Sequence, residues 1–152
     1  MQPLTLRPYR QSDWPRLMAI HDAARREELA RAGLSAAFVP LAQAAEREGL
    51  FDNAVVVAER GGEAVGFVAY CADELAWLYV DPACARQGIG RTLARYALAH
   101  TARPLWIEVL AGNAPALALY RSLGFTEVEL ASGRMPGNEA FAVTAHRLWR
   151  RL

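Results

Sequence analysis

The chain has 152 residues, 53% of them hydrophobic and 22% charged, which suits one ordinary folded domain and excludes a disordered chain. A net charge of +1, with all 17 basic residues other than histidine being arginine, gives no strongly basic face for nucleic acid. No apolar run reaches the roughly 20 residues of a membrane span. Residues 1–11 carry Pro3, Arg7, Pro8 and Arg10 in place of a signal-peptide core, so a cytoplasmic protein without membrane or nucleic-acid partners is expected. Cys71 and Cys84 are too few and too scattered for a metal centre, so reduced thiols and no metal are expected.

Residues 4–9 (LTLRPY) alternate and predict a first strand. SDWPRLMAIHDAA follows as a helix with Ser12 as its N-cap and Trp14, Leu17, Met18 and His21 on one face; Arg25–Arg31 continue it or start another, and Gly33 ends it. Residues 34–40 are a loop, and 41–48 a further helix stopped by Gly49. The period then changes. Residues 53–60, the Gly61–Gly62 turn and residues 63–71 predict a hairpin, and 74–80 a further strand ended by Asp81–Pro82. A helix over about 89–100, a strand over 104–110 and a helix over 114–123 with Gly124 as its C′ residue come next. Residues 126–132 and 139–149, joined across GRMPGN, close the chain as an antiparallel pair. This order predicts a single domain over 1–152 of the α/β (or α+β) kind. It would be one mixed, mostly antiparallel sheet of about seven strands with helices on both faces.

The stretch ARQGIGRTLARYALAH places Gly88 and Gly90 at a helix start, where Ser, Thr, Asp or Asn would be usual. Glycine admits a ligand close to the main chain. A helix N-terminus offers unpaired N–H groups and partial positive charge. The pattern therefore predicts an anion cradle, flanked by Arg86 and Arg91.

Strand, Val-x-Pro, Gly-x-Gly, helix, strand, Asn, helix with Leu-Tyr, then Gly-Phe: over about residues 53–132 this succession resembles the GNAT superfamily of N-acetyltransferases. The resemblance implies acetyl-CoA as cosubstrate. Its pyrophosphate would lie on the amides of Arg86, Gln87, Gly88, Ile89, Gly90 and Arg91. Ala85 stands where the family signature has Arg or Gln, which removes one side-chain contact. The resemblance also implies that strands 74–80 and 104–110 form a parallel pair splayed at a bulge. The pantetheine arm would then pair with Leu78, Tyr79 and Val80, and an N–H near Leu78–Tyr79 would polarise the thioester carbonyl.

By the same resemblance Asn113 contacts the cofactor arm, besides being an ordinary N-cap, and Tyr120 is the general acid for the departing thiolate. Glu108 matches the base of the branch that acetylates ribosomal-protein N-termini, and Glu74 that of the histone-lysine branch. Glu108 shares strand parity with Trp106, an apolar neighbour that would raise its pKa. His146 is a lesser candidate for the acceptor side.

The expected activity is transfer of an acetyl group to a primary amine by direct attack, since neither cysteine has a base beside it in sequence. The acceptor, a small molecule or a peptide, would enter between residues 14–40 and 132–139. A non-catalytic acyl-CoA sensor or interaction module is the rival reading, and a homodimer is left open. Tyr120, Asn113 and an internal strand glutamate favour the enzyme.

Overall fold

The computed structural model describes residues 2–151. Strand β1 (Leu4–Pro8) is followed by α1 (Trp14–Arg31) and α2 (Leu41–Arg47). Strands β2 (Ala54–Arg60), β3 (Glu63–Tyr70) and β4 (Leu75–Val80) then form a meander. Helix α3 (Ile89–Ala99), β5 (Leu105–Leu110), α4 (Ala114–Ser122), β6 (Thr126–Met135) and β7 (Asn138–Arg150) complete the order.

The expected sheet is present but opened along one seam. β1-β2-β3-β4 form one antiparallel part and β5-β7-β6 another. Among the described residues a single parallel bridge, Glu74 to Trp106, joins them. One register shift accompanies this seam: Ala69 opposes Trp77 and Tyr70 opposes Leu75, so Ala76 is an extra residue in β4.

Both faces of the first part are covered, which explains the unbroken apolar run in β2. Val55 and Val57 point to the side of Leu17, Ile20 and Leu41 from α1 and α2. Val56 and Ala58 point to the side of Ile89, Leu93 and Tyr120 from α3 and α4.

Two regions differ from the sequence expectation, and one open choice is resolved. Ser12 does not cap α1; a 3₁₀ turn over Gln11–Asp13 leads straight into it. The Asp13 carboxylate accepts the Arg10 N–H at 2.8 Å and binds the Arg7 guanidinium. That carboxylate points back to β1 and the start of the turn, and no side chain caps α1. Arg25–Arg31 continue α1 as one helix of 18 residues. The last hairpin runs further than expected, with β6 reaching Met135 and β7 starting at Asn138. Only Pro136 and Gly137 (φ +75°) make the turn, because Gly133, Arg134 and Met135 extend β6 despite their lack of alternation. Among the described residues no helix is long and apolar enough to cross a membrane.

Candidate active site

Beyond the Glu74–Trp106 bridge, β4 and β5 diverge, and the inner edge of β4 is unpaired. The ladder to β3 decides which groups face that edge. The Asp81 N–H donates to the Val65 carbonyl at 2.8 Å, and Tyr79 and Trp77 oppose Phe67 and Ala69 in the same register. Their backbone groups therefore turn to β3, and those of Leu78 and Val80 turn outward into the gap. Tyr79, expected beside them as a backbone contact, differs. It offers the cleft its ring, packed against His21 at 4.8 Å.

The gap leads to the glycine stretch. Arg86 (φ +61°) is the one described non-glycine residue in the left-handed region, and Gly88 (φ +78°) follows as the N-cap of α3. No side chain caps this helix end. The first helical bond is from the Thr92 N–H to the Gly88 carbonyl at 3.0 Å, so the N–H groups of Ile89, Gly90 and Arg91 have no partner within the helix. A side chain at Gly88 would meet open space, so backbone conformation and not crowding calls for glycine there. At Gly90 a Cβ would stand 3.5 Å from Leu119 and 3.7 Å from Val80. This closeness seats α3 against α4 and the end of β4. Arg91 donates to the Ser122 hydroxyl at 2.7 Å, and Arg60 reaches the Gln87 side-chain carbonyl.

Between the diverging strands lies a slot of about 90 Å³, bordered by Leu78, Tyr79, Glu108, Asn113, Tyr120 and Glu28. Asn113 caps α4 through a bond from the Ala116 N–H at 3.3 Å. Tyr120 is 4% exposed and packs edge-on against Phe125. Burial, then the charge of Glu28, holds its phenol far above the ordinary tyrosine range, so it carries its proton at any ordinary pH.

A larger cavity of about 520 Å³ adjoins the slot, and Glu28, Leu75, Ala76, Trp77, Tyr79 and Glu108 border both. Its walls come from α1 (His21, Arg25, Glu28) and the last hairpin turn (Met135–Asn138), as expected. α2 and the segment after it also contribute (Ala44, Arg47–Gly49, Asp52, Asn53), which was not expected. Five carboxylates (Glu28, Glu48, Asp52, Glu74, Glu108) face two guanidiniums (Arg25, Arg47). No acidic run in the sequence announces this, because four separate stretches of the chain supply the charges.

Glu74 and Glu108 both line this cavity, but only Glu108 also borders the slot. Partial desolvation, then the nearby Glu108 and Asp73 carboxylates, raise the Glu74 pKa, against the pull of Arg147. The apolar neighbour expected for Glu108 is covered. The Arg147 guanidinium lies 4.9 Å from the Trp106 ring centre and 3.5 Å from the Glu108 carboxylate. His146 pairs with Glu127 on β6 and lines neither cavity. His21 is buried, at 2% exposed, with Nδ1 2.9 Å from Asp22; burial lowers its pKa and favours the neutral ring.

Glu28 and Arg25 lie within the expected 14–40 wall, but the sequence reading did not single them out as site residues. Glu28 accepts from Arg25 at 2.6 Å and from the Asn113 amide at 2.8 Å. The available signal was helical spacing: His21, Arg25 and Glu28 follow at i, i+4 and i+7 on one face.

Comparison with known proteins fits this geometry. A family model described as an acetyltransferase (GNAT) domain matches residues 51–127, half of the chain. The [ribosomal protein bS18]-alanine N-acetyltransferase of Escherichia coli K12 is 43% identical over 61 residues, 38% of this chain and 41% of that protein. Mycothiol acetyltransferase of Corynebacterium glutamicum is 40% identical over 98 residues, 59% of this chain and 34% of that protein. The chain thus spans less than half the length of these curated relatives. A crystal structure of ribosomal-protein-alanine N-acetyltransferase from Brucella melitensis aligns over 97% of this chain and 99% of its own, with TM-score 0.71 and 28% identity. A GNAT-fold structure from Rhodopseudomonas palustris covers 100% of this chain and 98% of its own at TM-score 0.78 and 22% identity, and shows the fold alone. By the family match over half of its length, the chain belongs to the GNAT acetyltransferases.

Proposed function

We propose that this protein is an acetyl-CoA-dependent N-acetyltransferase acting on a primary amine. The observation that carries the reading is the continuity of three features. The unpaired edge of β4 runs into the uncapped N-terminus of α3, and the buried Tyr120 phenol faces the same gap. The fit is chemical: outward amides suit an amide-bearing arm, free helical N–H groups suit a pyrophosphate, and a narrow slot between the two strands suits a thioester. Relatives named as N-acetyltransferases support it.

In this reading the Leu78 N–H donates to the thioester oxygen as negative charge develops there. Glu108, at the junction of cavity and slot, receives the proton lost by the amine, directly or through water. The nitrogen–carbon bond forms as the carbon–sulfur bond breaks, and Tyr120 protonates the departing sulfur. The carboxylate-rich cavity favours an acceptor that carries further positive charge, and a peptide N-terminus fits the relatives named for ribosomal-protein alanine. An uncharged or acidic amine should be poorer.

The test is turnover with a panel of cationic and neutral amines and basic peptides, read by thiol release and by the mass of the acetylated product. Acetylated product matching the thiol released supports the enzyme. Saturable acetyl-CoA binding with no product from any acceptor, peptides included, favours the sensor module.

A further inference from the structure

One carboxylate ties together three elements around the cleft. Glu28, on α1, has a side chain 17% exposed and borders both the slot and the larger cavity. Its Oε1 accepts from Arg25 Nη1 at 2.6 Å and from the Tyr79 hydroxyl of β4 at 3.5 Å. Its Oε2 accepts from Asn113 Nδ2, at the start of α4, at 2.8 Å. Docking of α1 does not require this contact, since Leu17, Ile20 and Leu29 anchor the helix with almost no exposure.

Asn113 needs an orienting partner. It is 9% exposed, and its cap bond from Ala116 is long at 3.3 Å. The bond to the charged Glu28 is the shorter and stronger of the two. With one N–H on Glu28 and one lone pair on Ala116, the amide keeps one N–H and one lone pair for the slot.

We propose that Glu28 is a positioning residue: it fixes the plane of the Asn113 amide so that its two free hydrogen-bonding positions face the acyl-CoA arm. This rests on the reading of the cleft as an acetyl-CoA site. The pairing with Arg25 explains why the position holds an ionised group: the carboxylate neutralises a half-buried guanidinium and orients the amide at once.

The test is a double-mutant cycle on the acetyl-CoA dissociation constant, measured by calorimetry. Glu28→Ala should weaken binding about tenfold, the scale of one lost hydrogen bond. Glu28→Gln, which keeps an acceptor oxygen for Asn113, should recover most of it. In an Asn113→Ala background Glu28→Ala should add less than about twofold. A merely structural role would lower the melting temperature alike in both backgrounds and leave no coupling in binding. Should Glu28→Ala fail to fold, Glu28→Leu combined with Arg25→Leu removes the ion pair whole and takes its place in the cycle. Equal weakening in both backgrounds, no weakening, or a Gln variant as weak as Ala overturns the proposal alone. A wild-type protein that binds no acetyl-CoA overturns the cofactor reading and this proposal with it.

Discussion

Glu74 and Trp106 form a parallel bridge between the two parts of the sheet, where the Trp106 N–H donates to the Asp73 carbonyl at 2.7 Å. The seam opens from this pair because the extra residue Ala76 sets β4 off its ladder at the same point. Trp106 is held in turn by stacking on Trp149, with ring centres 5.2 Å apart. The bridge also sets the electrostatics of the cleft. Glu74 stands at the hinge and Glu108 two residues beyond Trp106, on the same face of β5, so two carboxylates share one mouth.

That sharing predicts a titration. Glu108 is among the groups that raise the Glu74 pKa. Removing a like charge favours ionisation, so Glu108→Gln should move the Glu74 carboxyl down toward the ordinary range of about 4.3. Carboxyl-carbon NMR titration of wild type and variant checks it. An unmoved Glu74 would show that the two groups do not sense each other.

The same pair predicts kinetics. Glu108→Gln should lower turnover by roughly 10²-fold or more near neutral pH, with a smaller loss at high pH where free amine is abundant. Glu74→Gln should be milder, because Glu74 lines the acceptor cavity and not the slot. The reverse ranking would transfer the base to Glu74.

For Tyr120→Phe the expectation is near-unchanged acetyl-CoA binding and a turnover loss of about 10²- to 10⁴-fold, roughly 2.7–5.4 kcal/mol of barrier. The phenol pKa lies far above the ordinary value of 10.0. The donor is therefore present throughout, and the loss should be the same factor from about pH 6 to about pH 10. Rate profiles of both proteins check this. Normal turnover in the Phe variant would leave Tyr120 a packing residue.

Stability should fall in acid through Asp13. The Arg7 hydrogen bonds, outweighing burial, hold its carboxyl below the ordinary 3.8. A depressed carboxylate contributes stability above its unfolded pKa and loses it as pH falls through the folded value. Asp13→Asn should cost about 2 kcal/mol at neutral pH, with the difference closing in acid as the pH falls below the ordinary carboxylate value and through the lowered one. Urea unfolding at both pH values measures it, and a cost that persists in acid would mean shape and not charge is responsible.

The elements were legible because each carries a local signal: period-2 runs, Gly61–Gly62, Asp81–Pro82 and Gly124 all punctuate where expected. The misread boundaries fall where a tertiary contact overrides the local one. Ser12 falls inside a 3₁₀ turn whose end, Asp13, is tied to Arg7 on β1, and β6 runs on because β7 pairs with it. The acidic cavity and Glu28 were not legible for the same reason. Their partners are far apart in the chain, and only the layering of α1 on the open seam brings Glu28 to Asn113.

The most direct measurement is the melting temperature of wild type and Gly90→Val with and without acetyl-CoA. Ligand at about 100 times its dissociation constant should stabilise wild type by roughly 2.7 kcal/mol. Gly90 sits among the free N–H groups of α3, with Leu119 and Val80 already in van der Waals contact with a Cβ placed there, so the further methyls of valine are expected to project over the amides that would hold a phosphate. The account predicts a clear rise for wild type and none for a folded Gly90→Val. Equal rises in both, or no rise in wild type with acetyl-CoA in excess, would contradict it.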